Sequence, residues 1–172
     1  MILRVLALWQ PYASLCVVPD PARGTPAKVH ETRHWDLRSR GSRSLGLPVH
    51  VAIHATKTLD YRNASAFDDL WPILNRLGYR NGAESMPFGQ IVGIATIVRV
   101  VPTVDRAATR RFEGAHADDY QCGDFSAGRF AWQLADARPL PTPIPHRGRQ
   151  DALYALDAET QASIYQQLMR GD

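Results

Sequence analysis

Short apolar runs alternate along the chain with polar segments rich in proline, glycine and serine. This pattern predicts many short strands separated by loops and a few helices. The run from 90 to 101 is the strongest, because it is almost wholly apolar and therefore predicts a buried strand. The proline-rich segment 139–145 is expected to be a connection between two strands. Further strands are predicted at 2–8, 28–35, 49–55, 129–135 and 152–156.

Three helices are predicted between these strands. Pro11 suits the first position of a short helix near the start of the chain. An apolar stripe predicts a second helix over 65–78, which Pro72 should kink or restart. Asp157 is expected to cap a final helix over 158–170. The resulting order, β-α-β-β-α-β-β-β-α, suits a small mixed or antiparallel barrel better than a doubly wound parallel sheet.

Residues 30–34 form the pattern His-Glu-x-x-His, which on a helix is the signature of a zinc protease. On a strand, the two imidazoles would lie about 13 Å apart, too far to share one metal ion. Apolar residues fall at alternating positions, including Val29 and Trp35, so the strand is the better interpretation. The same reasoning applies to His50 and His54, and no metal site is predicted.

The length and composition are those of an ordinary globular protein. The 172 residues suffice for one domain with a real core, or for two small ones. Hydrophobic residues make up 45% of the chain and charged residues 22%, and no apolar run reaches membrane-spanning length. Segment 1–8 lacks a positive leader and a cleavage site, so it is interpreted as a strand and not as a signal peptide. Cys16 and Cys122 lack metal-binding spacing, which indicates free thiols in a cytoplasmic protein.

The positive charge is concentrated in one part of the chain. The formal net charge is only +3, but residues 23–62 contain many more basic than acidic side chains. Arg38, Arg40 and Arg43 lie together there in a loop that also contains serine and glycine. Such a cluster can contact the phosphate backbone of RNA, and a solvated Arg-rich loop is the alternative from charge alone.

Six segments, in order, make the chain resemble the ASCH domain, a branch of the PUA-like barrels. Each segment alone is a weak signal, whereas the ordered set is specific. The loop between Gly24 and Lys28 holds three residues where the family motif has one, and the loop 36–48 is long and basic. The six segments are Leu6–Leu15, Gly24–Trp35, Ile53–Ala55, Phe88–Ala95, Gly123–Trp132 and Pro143–Gly148.

The resemblance implies the fold and the domain organisation. An ASCH domain is an α+β fold in which a small mixed or antiparallel PUA-like β-barrel is surrounded by short helices. This domain is expected to occupy residues 1–156. Residues 157–172 are expected to form a C-terminal helix that packs on the same domain.

The lysines are candidate site residues. Lys28 and Lys57 are the only lysines in a chain that otherwise uses arginine, and Lys28 occupies the lysine position of the family motif. A compact ammonium with a movable pKa can serve chemistry that a guanidinium cannot, and chance placement of two surface lysines is the alternative. Glu31 is interpreted either as a carboxylate that binds the amino edge of a base or as an ion-pair partner of Lys28 or Arg33.

Aromatic and arginine side chains, Arg33 of the family motif among them, complete the ligand-binding set that is predicted together with Lys28, Glu31 and Lys57. Tyr12 and Trp35 are candidates to stack on a base, with core packing as the alternative for both. Trp9 is expected to lie in the core. Arg129 follows a glycine and could hold a phosphate, or could pair with a nearby aspartate such as Asp124.

The resemblance implies two classes of function. The first is a binding module whose cleft holds a nucleotide or a modified base of single-stranded RNA, with basic loops on the phosphates. The alternative is a small metal-free hydrolase, in which Lys28, His54 and Lys57 would supply acid and base for ribonuclease chemistry. A 4-acetylcytidine amidohydrolase is less expected, because such relatives carry threonine where this chain has Glu31. Neither function implies a cofactor or a membrane.

Overall fold

Five strands form one mixed sheet. The computed structural model describes residues 2–39, 45–58, 65–103, 116–149 and 153–170. The strands are β1 (Arg4–Leu8), β2 (His30–Arg33), β3 (Val49–Ala55), β4 (Gln90–Thr103) and β5 (Arg129–Pro145). They are ordered β1-β3-β4-β5-β2 across the sheet. β1 runs parallel to β3, and every other neighbouring pair is antiparallel.

The sheet has two edges, β1 and β2. In the described part of the chain no backbone pairing joins them, so the strands form an open mixed sheet and not the closed barrel that was expected. The pairing of β4 with β5 shifts register at three places, and such irregularities bend a sheet. The two edges still approach each other, since the Arg33 guanidinium of β2 donates to the Ala7 carbonyl of β1 at 3.0 Å.

β5 is much longer than predicted. The sequence predicted a strand over 129–135 followed by a connection over 139–145, but one strand runs through to Pro145. The prediction of a connection is wrong because the prolines stand where β5 is paired on one side only. β4 accompanies β5 as far as Pro145, whereas β2 pairs only with residues 130–133. A proline, which has no N–H, is tolerated in a strand when that side is unpaired.

The other strand predictions have mixed outcomes. The strand at 49–55 is confirmed as β3, and the strand at 90–101 is confirmed and continues to Thr103. The strand predicted at 152–156 is wrong for its described residues, where a single bridge pairs Ala155 with Arg4. Leu153 has a φ of 58°, a left-handed conformation that does not occur in a regular strand.

The strand interpretation of the His-Glu-x-x-His segment is confirmed, because residues 30–33 form β2. His30 is buried, with 1% exposure, whereas His34 follows the strand and is exposed. His50 and His54 lie on β3. Neither pair therefore has the helical geometry that a shared metal ion would need.

The helices are short apart from the last. The short first helix is confirmed as α1, which ends at Leu15. The predicted second helix is interrupted, so that a new helix begins at Trp71 with Pro72 in its first turn. Asp157 caps the final helix, accepting from the Thr160 N–H at 2.8 Å. No helix in the described ranges is long and apolar enough to cross a membrane. The helices are α1 (Tyr12–Leu15), α2 (Ala66–Asp69), α3 (Trp71–Arg76), α4 (Ala117–Gln121) and α5 (Ala158–Arg170).

Buried apolar side chains hold these elements together in three clusters. The largest joins β1, β3, β4 and β5 with residues of α1 and includes the fully buried Trp132. A second forms around α2 and α3. In the third, Ile164 of α5 packs with Leu3 and Val5 at the start of the chain, so α5 packs against the sheet near β1.

Candidate functional site

A cleft of about 820 Å³ lies between the two edge strands of the sheet. Its walls come from the end of β1, from Trp9 and Tyr12 at α1, from β2, from residues 121–124 at the end of α4 and just after it, and from Arg129 at the start of β5. Pockets of this size hold small ligands. Side chains that are distant in sequence meet here because β1 and β2 are the edges of one bent sheet.

Lys28 forms part of the wall of the cleft, and its ammonium is fully engaged. It donates to the His30 carbonyl at 2.6 Å and to the Cys122 carbonyl at 2.9 Å, and lies 3.2 Å from Glu31 Oε2. Burial alone would lower the pKa of Lys28, but attraction to Glu31, Asp119 and other nearby groups together outweighs it, and the pKa lies above its usual value. This lysine is therefore a fixed cation at physiological pH and is unsuited to accepting a proton.

Glu31 links two cations. Its Oε2 faces Lys28, and its Oε1 lies 2.8 Å from the Nε of Arg33. The Glu31 side chain is only 10% exposed, so this carboxylate and its pair with Lys28 are largely withdrawn from water, whereas Arg33 is 30% exposed. Because Arg33 also donates to the Ala7 carbonyl, a continuous polar chain runs from the Cys122 carbonyl to β1 across the cleft.

α4 is tied to β2 by one buried carboxylate. Asp119 is fully buried and accepts hydrogen bonds from the Val29 N–H at 2.8 Å and the His30 N–H at 3.0 Å. Its other oxygen accepts from the His30 Nδ1 at 2.6 Å. Burial raises the pKa of the Asp119 carboxyl, but the hydrogen bond from His30 and nearby positive charge outweigh it and the pKa lies below its usual value. This clamp holds the α4 wall of the cleft, and with it the carbonyl that Lys28 uses.

Arg129 occupies the far end of the cleft. Its Nη2 donates to the Thr32 carbonyl at 3.2 Å, and its Nη1 lies 3.3 Å from Asp124 Oδ2. Asp124 donates its backbone N–H to Thr32 Oγ1 at 3.1 Å, so the three residues form a closed polar group. Of the two alternatives for Arg129, the ion pair with Asp124 is present, and the same side chain lines the cleft in which a phosphate would bind.

The aromatic residues divide differently from the predictions. Tyr12 lines the cleft, with its ring centre 5.8 Å from the Lys28 ammonium. Trp9 also lines it and is 41% exposed, so the expectation of a core position for Trp9 is wrong. Trp35 lies outside the lining and packs edge-on against Trp132, with ring centres 4.6 Å apart. Trp9 and Tyr12 are therefore the aromatic side chains that a ligand can reach among these three.

Two of the three candidate catalytic residues lie outside this cleft. His54 is buried beside the ring of His146, and its Nε2 donates to the His146 carbonyl at 3.2 Å. Burial lowers the pKa of His54, so the imidazole is neutral near pH 7. Lys57 is exposed and lies next to Gly89. The described part of the chain thus does not bring Lys28, His54 and Lys57 together.

The basic loop is only partly described. Arg38 is exposed and pairs with Asp36, its Nη2 lying 2.8 Å from Asp36 Oδ2. Arg40 and Arg43 lie outside the described residues.

Sequence reasoning missed several residues of the site. Asp119 had no signal, because a lone aspartate in a polar segment resembles any surface aspartate. Thr32 and Cys122 act partly through backbone carbonyls, which carry no sequence signature. For Trp9 the signal was present, since it stands at the end of a strand directly before α1, where a side chain can point into a cleft.

The cleft has an excess of positive charge. Lys28, Arg33 and Arg129 line it together with the carboxylates of Glu31 and Asp124, so cations outnumber carboxylates by one. Across the described ranges, no group of three or more His, Cys, Asp or Glu side chains is arranged to hold a metal ion. The arrangement combines aromatic faces, fixed cations and backbone carbonyls, which suits binding of a flat polar ligand that carries an anion.

Comparison with known proteins identifies the fold. No protein-family model matches the sequence, and no curated protein matches it significantly. Among solved structures, the ASCH protein of Zymomonas mobilis aligns with a TM-score of 0.50 and 17% identity, over 95% of this chain and 93% of that chain. Two mutant forms of the Zymomonas mobilis protein align with TM-scores of 0.48 and 0.47, at 17% and 16% identity. These alignments cover 95% of this chain in both cases, and 94% and 96% of the mutant chains.

At this level of identity the likeness concerns the fold. The chain has the mixed α/β fold of an ASCH domain, with one five-stranded sheet and few helices, as the six ordered motifs predict.

Proposed function

We propose that this protein binds RNA or a nucleotide, with one base and its phosphate held in the cleft between β1 and β2. The observation that carries the proposal is the pairing of exposed aromatic surface with fixed cations in one cleft. Trp9 and Tyr12 offer faces for a base, and Arg33 and Arg129 lie along the same walls. Base stacking on aromatic side chains contributes about 1–3 kcal/mol per base. The cytoplasm is the proposed location, because two buried free cysteines suit a reducing compartment.

A hydrolase is the less favoured alternative. Ribonuclease chemistry needs a base and an acid near the scissile phosphate. Lys28 is held as a cation, while His54 and Lys57 do not line the cleft, so the expected acid–base set is not assembled there. The position that carries threonine in the amidohydrolases is Glu31, whose two oxygens face Lys28 and Arg33.

The test uses two tryptophans of equal exposure. Trp9 lines the cleft and is 41% exposed, whereas Trp71, on α3, is 42% exposed and lies outside that cleft. Titration calorimetry with a short single-stranded RNA and with nucleoside monophosphates should show binding to the wild-type protein. Trp9→Ala should weaken it about 5- to 100-fold, as loss of one stacked base requires. Trp71→Ala should leave affinity unchanged.

The basic loop is tested separately by ionic strength. If Arg38, Arg40 and Arg43 contact phosphates of a longer strand, changing all three to serine should flatten the dependence of RNA affinity on salt. Affinity for a single nucleotide should stay the same. No binding of RNA or nucleotides by the wild-type protein at low salt would refute the proposed function. Equal losses in Trp9→Ala and Trp71→Ala would move the site elsewhere.

A further inference from the structure

Arg129 is anchored from the sheet side. Its backbone N–H donates to Thr103 Oγ1 at 3.0 Å, and its Nη2 donates to the Thr32 carbonyl at 3.2 Å. Its side chain remains 28% exposed in the cleft. The guanidinium therefore has an acceptor, the Thr32 carbonyl, that does not depend on the partner of Nη1.

The partner of Nη1 is held loosely. Asp124 Oδ2 lies 3.3 Å from Arg129 Nη1, longer than the 2.7–2.9 Å typical of a charge-assisted hydrogen bond. The Asp124 side chain is 58% exposed, and ion pairs in water contribute little. The Asp124 backbone is independently fixed, since its N–H donates to Thr32 Oγ1 and its Oδ1 accepts from the Ser126 N–H at 3.0 Å.

The other cations of the cleft differ from Arg129 in this respect. Arg33 lies 2.8 Å from Glu31, a carboxylate that is only 10% exposed and that also faces Lys28. Separating either cation from Glu31 would remove one of the two ion pairs of a carboxylate that is shielded from water, which is costly. Arg129 is therefore the cation of the cleft that can exchange its carboxylate for another anion at low cost.

We propose that Asp124 occupies the place of a ligand phosphate on Arg129 and gives up that place when the ligand binds. The inference rests on the proposed function and adds a specificity-determining residue to it. A phosphate monoester carries more charge than a carboxylate and fits the guanidinium fork, so it can replace Asp124. A neutral nucleoside cannot, and leaves the Asp124–Arg129 pair intact. Asp124 thus sets how strongly the cleft distinguishes nucleotides from nucleosides.

The test removes the competing charge and keeps the fold. Asp124→Asn retains an Oδ1 acceptor for the Ser126 N–H but no longer competes for Arg129. Affinity for nucleoside 5′-monophosphates, measured by calorimetry at low salt, should rise about two- to fivefold, as loss of one exposed ion pair implies. Affinity for the matching nucleosides should not change. Glu159→Gln, which removes one exposed carboxylate from α5, is the matched control and should change neither affinity.

Repeating Asp124→Asn in an Arg129→Gln variant tests whether the gain in affinity acts through Arg129 or through the net charge of the protein. In Arg129→Gln, monophosphate binding should be weaker, and adding Asp124→Asn should restore nothing, because the competed group is gone. The inference is overturned if Asp124→Asn leaves monophosphate affinity unchanged or lowers it, or raises nucleoside affinity equally. If the wild-type protein binds neither nucleotides nor nucleosides, the proposed function fails as well. Wild-type binding without a gain in the variant defeats the inference alone.

Discussion

Replacing Glu31 by glutamine removes the carboxylate that faces both Lys28 and Arg33. The Lys28 side chain is 2% exposed and that of Glu31 10%, so the variant leaves an ammonium in the interior without its counterion. Removing one partner of a buried ion pair costs about 3–5 kcal/mol. Here the cost should lie near or below the lower end, about 2–3 kcal/mol, because two carbonyls still accept from Lys28 and the glutamine oxygen can accept as well.

Urea unfolding at pH 7, followed by circular dichroism, measures this free energy. For a chain of this length, about 2–3 kcal/mol corresponds to a fall in Tm of roughly 4–12 °C. Glu84→Gln, at an exposed position of the turn Gly82–Ser85, is the control and should change stability by less than about 0.5 kcal/mol.

A double-mutant cycle isolates the interaction between Lys28 and Glu31. Lys28→Met and Glu31→Gln should each lower the free energy of unfolding. The decrease in the double variant should be smaller than the sum of the two single decreases. If Glu31→Gln unfolds at the same urea concentration as the wild-type protein, the buried ion pair does not stabilise the fold and the reasoning fails.

Three further predictions follow from buried groups. Because the pKa of Asp119 lies below its usual value, its carboxylate stabilises the fold above the unfolded pKa of about 3.9, and this stability is lost as pH falls through the folded pKa. Asp119→Asn should therefore reduce the free energy of unfolding at pH 7 and make its decrease in acid less steep. An acid unfolding profile identical to that of the wild-type protein would contradict this. A Cβ at Gly93 would come within 2.5 Å of a backbone oxygen, so Gly93→Ala should lower the free energy of unfolding in urea by at least about 1–3 kcal/mol. A Cβ at Gly46 meets nothing within 4 Å, so the control Gly46→Ala should not lower it. Equal stability of the two variants would refute the clash. Cys16 and Cys122 are buried, and burial raises the pKa of the Cys122 thiol to about 12. Iodoacetamide at pH 8 should therefore modify both cysteines only after unfolding. Rapid labelling of the native protein would contradict this prediction.

Much of the fold could be predicted from local patterns. Alternation placed β3 and the strand interpretation of 30–33, and the capping residue Asp157 placed the start of α5. The path of β5 through 139–145 could not be predicted, because proline is tolerated there only once the neighbouring strand has ended. That ending is a property of the sheet and leaves no mark in the segment itself.

The candidate site was predictable where a side chain acts through its own chemistry. Tyr12, Lys28 and Arg129, which the motifs single out, line one cleft, and their role in binding stays a prediction. Asp119 could not be found, because its role depends on two backbone amides and an imidazole from β2, about 90 residues earlier in the chain. His54 illustrates the opposite limit, since a histidine in a matching motif does not line the cleft and packs instead against the ring of His146.

The contact between Arg33 and the Ala7 carbonyl joins the two edges of the sheet through a side chain, without backbone pairing. A ladder of backbone hydrogen bonds would fix the spacing of β1 and β2 along their whole length, and separating them would break several bonds together. Here a single side-chain hydrogen bond from Arg33 spans the gap at this point, so the contact between the two edges depends on the buried Glu31 that pairs with Arg33, and the sheet's backbone ladders take no part in it.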